Sequence, residues 1–439
     1  MKFVFAVLLL TGLVGLSNAQ ICGLTDSGVH IPPSYTTLAP PAYGQSYTDP
    51  VFGCQITRLV NGTHEYSEMS AFNANDTKII VGVYGTSGRT IIDFSGNTIC
   101  YASAIGGNGE PRWDKTDPNK IWFHDIGGNH IYTLNATTCA ATLYDTLAPY
   151  ASTGLWFCGG ESDISADGDH FCVSDPATDA NSIRRYTIST KTLGTAISGG
   201  SSATSSVDFA DITPVNNNIL VNFGSPRSFE IYNGTTGVFD HQIANWSSHS
   251  DRFVGLNDHE MLFTGNGNNP APGSCSGTSY VAFDLASSGN TPLCTGIDTG
   301  QYLSAHLSVN NEYTALPPSR QTVAISIDND NATWPSEDAN WQAKWTAFTN
   351  EIIVQNTDGT GLRRLAHHRA INSVGYYWNQ TRASMSRSGN WIVYDSNFGR
   401  SSASPDDASI DVYLLKLGTS PAPAVARPSA PIGLTVVVR

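Results

Sequence analysis

The chain has 439 residues, 14% of them charged, with a formal net charge of −14. That balance leaves no basic footprint for a phosphate backbone and argues against DNA or RNA as a partner. Hydrophobic residues at 40% and aromatics at 10% supply a core and exclude a disordered chain, while the 41 glycines and the wealth of Ser, Thr and Asn favour many short strands joined by turns.

The N-terminus reads as a secretory signal peptide, residues 1–19. Lys2 supplies the positive charge, residues 3–16 an apolar run broken only by Thr11 and glycines, and Ser17 and Ala19 the small residues before a cut at Gln20. The run is shorter than the roughly 20 residues of a membrane span, and Cys22 follows no lipid-anchor signal. The mature chain is therefore expected to be secreted or periplasmic, with no membrane insertion. Its eight cysteines, an even number, then imply disulfides. Proximity suggests Cys22–Cys54, Cys100–Cys139, Cys158–Cys172 and Cys275–Cys294 among the many pairings that remain open, and no C-x-x-C spacing supports a metal cluster. Seven N-x-S/T tripeptides begin at Asn61, Asn75, Asn135, Asn233, Asn245, Asn331 and Asn379. A chain this rich in Asn, Ser and Thr yields about that many by chance.

From residue 72 a pattern recurs: a short polar turn, then four to six strand-forming residues. It runs FNANDTKIIVG from Phe72, WDKTDPNKIWFH from Trp113, ISADGDHFCVS from Ile164, ITPVNNNILVN from Ile212, LNDHEMLFT from Leu256, LSVNNEYTALPPS from Leu307 and MSRSGNWIVYDS from Met385. Most starts are about 40–50 residues apart, the period of a propeller blade. The expected fold is all-β: a single β-propeller of about seven four-stranded blades over residues 20–418, with a strand near residues 30–60 as a candidate to complete the last blade. The longer sixth interval holds Trp341, Trp345 and Phe348 at helical spacing after Pro335 and Ser336, which predicts one short helical insertion near residues 335–349. Its aromatics, with Trp334, would dock the helix or stack on sugars. Residues 419–439 read as a Pro-rich linker and C-terminal tail, ending in IGLTVVVR, which resembles the opening strand of a fibronectin-like module.

The segments EIIVQNTDGTGLRRLAHH from Glu351, ASMSRSGNWIVYDSNFG from Ala383 and DVYLLKL from Asp411 resemble the TolB-type (PD40, WD40-like) propeller repeat, well in the last two blades and more loosely before them. The resemblance implies a propeller and leaves function open.

In a propeller the innermost strands line a central channel, and ligands sit at a mouth. The residues just before each repeated turn are polar: Glu65 and Tyr66, Arg112 and Asp114, Glu161 and Asp163, Asp208 and Asp211, His249 and Asp251, His306, and Arg382. Arg112, Asp114, Glu161, Asp251 and Arg382 are the candidate substrate-binding set. His249, His306 and His367, from different blades, would suit a divalent metal ion, or be structural. The stretch from His367 to Arg382 packs His, Arg, Tyr, Trp and Asn together. Here His368, Arg369 and Tyr377 are the candidate catalytic residues, since Arg can pair with a uronate carboxylate and His or Tyr can abstract the adjacent proton. Propeller polysaccharide lyases, including those acting on oligogalacturonate and ulvan, are similar in architecture and in these residue types, some using a metal. No G-x-S-x-G, H-E-x-x-H or P-loop offers another chemistry. The expected function is thus a secreted propeller that acts on or binds carbohydrate, as a lyase of an acidic polysaccharide or oligosaccharide. The alternative is a non-enzymatic, TolB-like binding or scaffold propeller of the periplasm or cell envelope.

Overall fold

The recurring turn has a physical cause that the computed structural model makes explicit. Asp76, Gly168 and Gly389 occupy the same place in three copies of the turn and Asn217 the next place in a fourth, and all have positive φ, which Gly, Asn and Asp adopt at least cost. Three residues before Asp76, Gly168 and Gly389, and four before Asn217, the side-chain oxygen of Asn73, Ser165, Ser386 or Thr213 accepts the backbone N–H five residues beyond itself. The polar dipeptides are therefore closing hairpins. The structure describes residues 22–417 apart from 83–87, 108, 126, 149–153, 159–160, 176–179, 203–204, 226, 246–248, 256–258, 266–274, 276–278, 289–292, 295–303, 310–320, 329–340, 372–379 and 401–408.

Each hairpin belongs to one of seven antiparallel sheets, the blades of a seven-bladed propeller. Blades 2, 4, 5 and 6 have four strands each, their inner strands being Arg112–Trp113, Ser206–Ile212, Ser250–Val254 and Ser304–Ser308. Blades 1 (from Ile79–Val81) and 3 (from His170–Val173) have three named strands. Their inner positions are filled by single bridges, Phe72 with Ile79 and Thr63 with Gly82 in blade 1, and Trp156 with Ser174 in blade 3. Blade 7 runs outward from Ser384–Met385 through Trp391–Ser396 and Asp411–Lys416 to Gln55–Asn61 and Ser46–Thr48. The ring is thus closed by the N-terminal strand, with Ile56 opposite Leu415 and Arg58 opposite Tyr413.

The core follows this geometry. Seven buried clusters each lie between two neighbouring blades, including the closing pair 7 and 1, where Ile79 and Val81 of blade 1 meet Leu59, Val393, Val412 and Leu414 of blade 7. Three predicted disulfides are formed, Cys22–Cys54, Cys100–Cys139 and Cys158–Cys172. Cys275 is also disulfide-bonded, and the side chain of Cys294 is outside the described set. Among the described residues no helix is long and apolar enough to cross a membrane. Residues 1–19 and 419–439 lie outside the described residues.

The helical insertion near 335–349 is corrected. Only a 3-10 turn, Trp341–Lys344, is present in its described part. Phe348 and Asn350 take positive φ, which no α-helix accommodates. The aromatic spacing instead serves docking: Trp345 is buried and meets Trp341, Tyr35 and His367 edge-on.

Candidate functional site

Side chains at the start of an inner strand face the channel, and four blades bring theirs to one place. The Tyr66 hydroxyl lies 3.2 Å from Nε2 of His249 and 3.4 Å from Nε2 of His306. The two imidazoles stack with ring centres 4.5 Å apart, and the Arg382 guanidinium carbon sits 5.4 Å from the centre of the Tyr66 ring. Each member is fixed from behind. Nδ1 of His249 bonds the Ala305 carbonyl at 2.7 Å, which gives Nδ1 the proton and turns the Nε2 lone pair toward Tyr66. His306 is fully buried on the inner strand of blade 6. Burial, then the neighbouring His249 and Arg382, holds its imidazole well below the ordinary range, so it is neutral near pH 7. Arg382 is anchored through its own amide to Asp395 at 2.8 Å, and its carbonyl meets His64 Nε2 at 2.5 Å.

Carboxyl groups line the channel around this group. Glu68, in the turn closed by the Met69 amide on the Tyr66 carbonyl, is buried with Oε1 unbonded. Burial, followed by the field of Glu161, pushes its carboxyl well above the usual range. Burial and Asp208 do the same to Glu161, against the opposing pull of Arg382. Asp211 and Asp251 are raised to about 6 and about 7, chiefly by burial. Each accepts the N–H of the following residue, as Asp163 does. Asp163 and Asp211 are neutralised by Lys115 at 2.7 Å and Arg252 at 3.0 Å. The channel therefore has a tyrosine–imidazole–guanidinium group beside Glu68 and Glu161, whose buried carboxyls are pushed toward their protonated form, while Lys115 and other cations pull Asp163 down against its burial.

Of the residues singled out from sequence, His249, His306 and Arg382 converge here, with Glu161 and Asp251 beside them. Arg112 is buried, its guanidinium 5.8 Å from the Phe157 ring and bonded to the Pro111 carbonyl at 3.2 Å. Asp114 is a turn residue: it caps the amides of Thr116 and Asp117 and accepts from Trp122 and Lys120. The metal set His249, His306 and His367 is not assembled. His367 bonds the His30 carbonyl at 3.0 Å and packs on Phe52, and no group of three His, Cys, Asp or Glu suited to a metal occurs among the described residues. His368 and Arg369 belong with His367 to a second cluster. His368 is tied to Ile327 and Ala370, and Arg369 donates to the carbonyls of Ser34 and Tyr35 at 2.8 and 3.1 Å. These residues fasten the N-terminal segment to blade 6. Tyr377 lies outside the described residues. Sequence reasoning placed Tyr66 in the channel without giving it a role and missed Glu68.

No family model and no curated protein matches the chain. Among solved structures, an oligogalacturonate lyase from Vibrio parahaemolyticus is similar over 85% of this chain and 96% of its own, at 11% identity and a TM-score of 0.53. The β-propeller domain of Cps50 (Swd1) from Myceliophteria thermophila is similar over 82% and 100%, at 10% identity and a TM-score of 0.50. Likeness at these identities shows the propeller fold alone.

Proposed function

We propose that this is an exported propeller that binds an acidic polysaccharide or oligosaccharide at its channel mouth and cleaves it by β-elimination. The observation that carries the reading is the Tyr66 hydroxyl held between two Nε2 atoms beside Arg382. In this reading Arg382 neutralises the uronate carboxylate, which acidifies the proton on the adjacent carbon. Tyr66, passing its own proton to Nε2 of His249 or of the neutral His306, takes up that proton. The electron pair forms a carbon–carbon double bond as the glycosidic C–O bond breaks, and the leaving oxygen is protonated by the imidazolium or by Glu161. The disulfides suit an oxidising compartment, and the structural likeness to an oligogalacturonate lyase agrees in architecture with this chemistry.

The burial of His306 and Arg382 favours a second reading, in which the channel is a plug and the chain is a non-enzymatic, TolB-like binding or scaffold propeller. One assay separates the two. The mature protein is incubated with a panel of acidic polysaccharides while ultraviolet absorbance of unsaturated uronates is followed. A rise that Tyr66→Phe and Arg382→Gln each abolish supports elimination. No rise on any polymer, with binding retained, supports the scaffold.

A further inference from the structure

We propose that Asn75, Asn135 and Asn233 carry N-linked glycans, and that these glycans lie on the face of the propeller opposite the channel mouth. All three begin N-x-T tripeptides without proline at the middle position, the acceptor pattern of a secreted chain. That pattern alone says little in a sequence so rich in Asn and Thr. The tripeptides at Asn245, Asn331 and Asn379 lie wholly or partly outside the described residues, and the structure separates these three from the one at Asn61 by exposure of the threonine, local conformation and position.

Each of the three asparagines is exposed, and so is the threonine two residues on, Thr77, Thr137 and Thr235. Each side chain is held by its carbonyl oxygen. Oδ1 of Asn135 accepts the amides of Thr137 and Thr138 at 2.9 and 3.0 Å. Oδ1 of Asn233 accepts those of Thr235 and Thr236 at 3.0 and 2.9 Å. Oδ1 of Asn75 accepts the Thr77 hydroxyl at 2.6 Å. Nδ2 makes no hydrogen bond within the described residues at any of the three, so the folded chain has room for a substituent there and loses no contact to it. Asn61 is the internal contrast. Its Nδ2 donates to the Ile410 carbonyl at 2.8 Å, and its partner Thr63 is buried with its hydroxyl on the Gly82 carbonyl.

The three sites share a face. Asn75 lies in the hairpin that links the first and second strands of blade 1, between the bridged residues Phe72 and Ile79. Asn135 and Asn233 lie in the turns that link the third and fourth strands of blades 2 and 4. In an antiparallel blade these two kinds of turn fall at the same end, which is the far end of the inner strand from its first residue. Tyr66, His249, His306 and Arg382 stand at or near the start of inner strands, at the other end. The side chains between confirm the neighbourhood: Asn73 reaches the Pro118 carbonyl, and Asn119 bonds both Lys78 and Thr137. Glycans on these turns leave the mouth uncovered.

The modification is a group transfer. Nδ2 loses one proton and bonds to the anomeric carbon of a diphosphate-linked oligosaccharide, and the diphosphate carrier departs with the electrons of the broken C–O bond. It requires export but does not depend on what the channel binds. The test uses the protein purified from the medium of the organism that makes it. Deglycosylation by peptide N-glycosidase in ¹⁸O-water, followed by peptide mapping, should convert Asn75, Asn135 and Asn233 to ¹⁸O-labelled Asp and leave Asn61 as Asn. Conversion at Asn61, or its absence at any of the three, overturns the assignment. Asn75→Gln, Asn135→Gln and Asn233→Gln combined in one chain should migrate three glycan steps faster while keeping the fold; unchanged mobility refutes it equally.

Discussion

His368→Gln tests whether the segment at 367–369 is structural. Nδ1 of His368 accepts the Ala370 amide at 3.0 Å, and Nε2 lies 3.0 Å from the Ile327 carbonyl. An acceptor at Nδ1 requires the neutral tautomer with its proton on Nε2. Asp328 Oδ1, 3.2 Å from Nε2, offers an opposing charge, but a second proton would set N–H against N–H in a fully buried site, and burial pushes this imidazole down to about 3. Between its ordinary 6.5 and that value, the unfolded chain takes up a proton that the folded chain refuses, so stability falls as pH falls. The slope is about 1.4 kcal/mol per pH unit, which sums to roughly 5 kcal/mol over the window. Gln does not titrate. Near pH 7.5 the variant should be weaker by about 1–3 kcal/mol, from disturbed buried hydrogen bonds, and the gap should close and then reverse as pH falls toward 4. Urea unfolding at a series of pH values, disulfides intact and followed by tryptophan fluorescence, measures the difference directly. A gap independent of pH would refute the reasoning and return His368 to the acid–base candidates.

Three further perturbations have defined outcomes. Tyr66→Phe keeps the ring beside Arg382 but removes the hydroxyl, so the eliminase rate should fall about 10²–10⁴-fold, with a stability change of only about 1 kcal/mol in urea. Ile56→Ala hollows the fully buried seam where the N-terminal strand closes blade 7 and should cost about 2–5 kcal/mol of unfolding free energy. Removing the Cys22–Cys54 bridge, which spans 32 residues, by Cys22→Ser with Cys54→Ser should lower stability by roughly 3–4 kcal/mol; a denaturation midpoint equal to that of the parent would show that the strand closes the ring unaided.

The blades were legible because four hairpins carry a left-handed residue three or four places after a side-chain acceptor, and Asn73 with Asp76 or Ser386 with Gly389 announces both. The helix at 335–349 was misread because helical spacing of aromatics is also satisfied by a tight turn whose rings dock on Tyr35 and His367. The channel was legible as polarity at the start of inner strands, which found His249, His306 and Arg382. The density of His and Arg from 367 onward was misleading for a different reason. Its partners Ser34 and Tyr35 are more than 330 residues away in sequence, and no local pattern reveals that such a cluster is a latch for the N-terminal segment. Asp114 shows the same limit at short range: the position that is Ser, Asn or Thr in sister turns is a capping position whatever its charge.

The closing seam and the mouth are nonetheless joined through direct contacts. Tyr66 follows directly from the strand Gln55–Asn61 that closes blade 7, whereas His306 comes from blade 6, so their contact spans the seam of the ring. Arg382 leads into blade 7, and its neighbour Thr381 accepts the Ser326 hydroxyl of blade 6 at 2.8 Å. His64, just past the closing strand, holds the Arg382 carbonyl. Loosening of the seam is therefore expected to disturb the Tyr66–His306 and Tyr66–Arg382 contacts. If the proposed elimination is observed, heating the Ile56→Ala chain should abolish it at a temperature below that at which its strands melt. Coincident loss of activity and of circular dichroism would mean that the seam and the mouth fail as one unit.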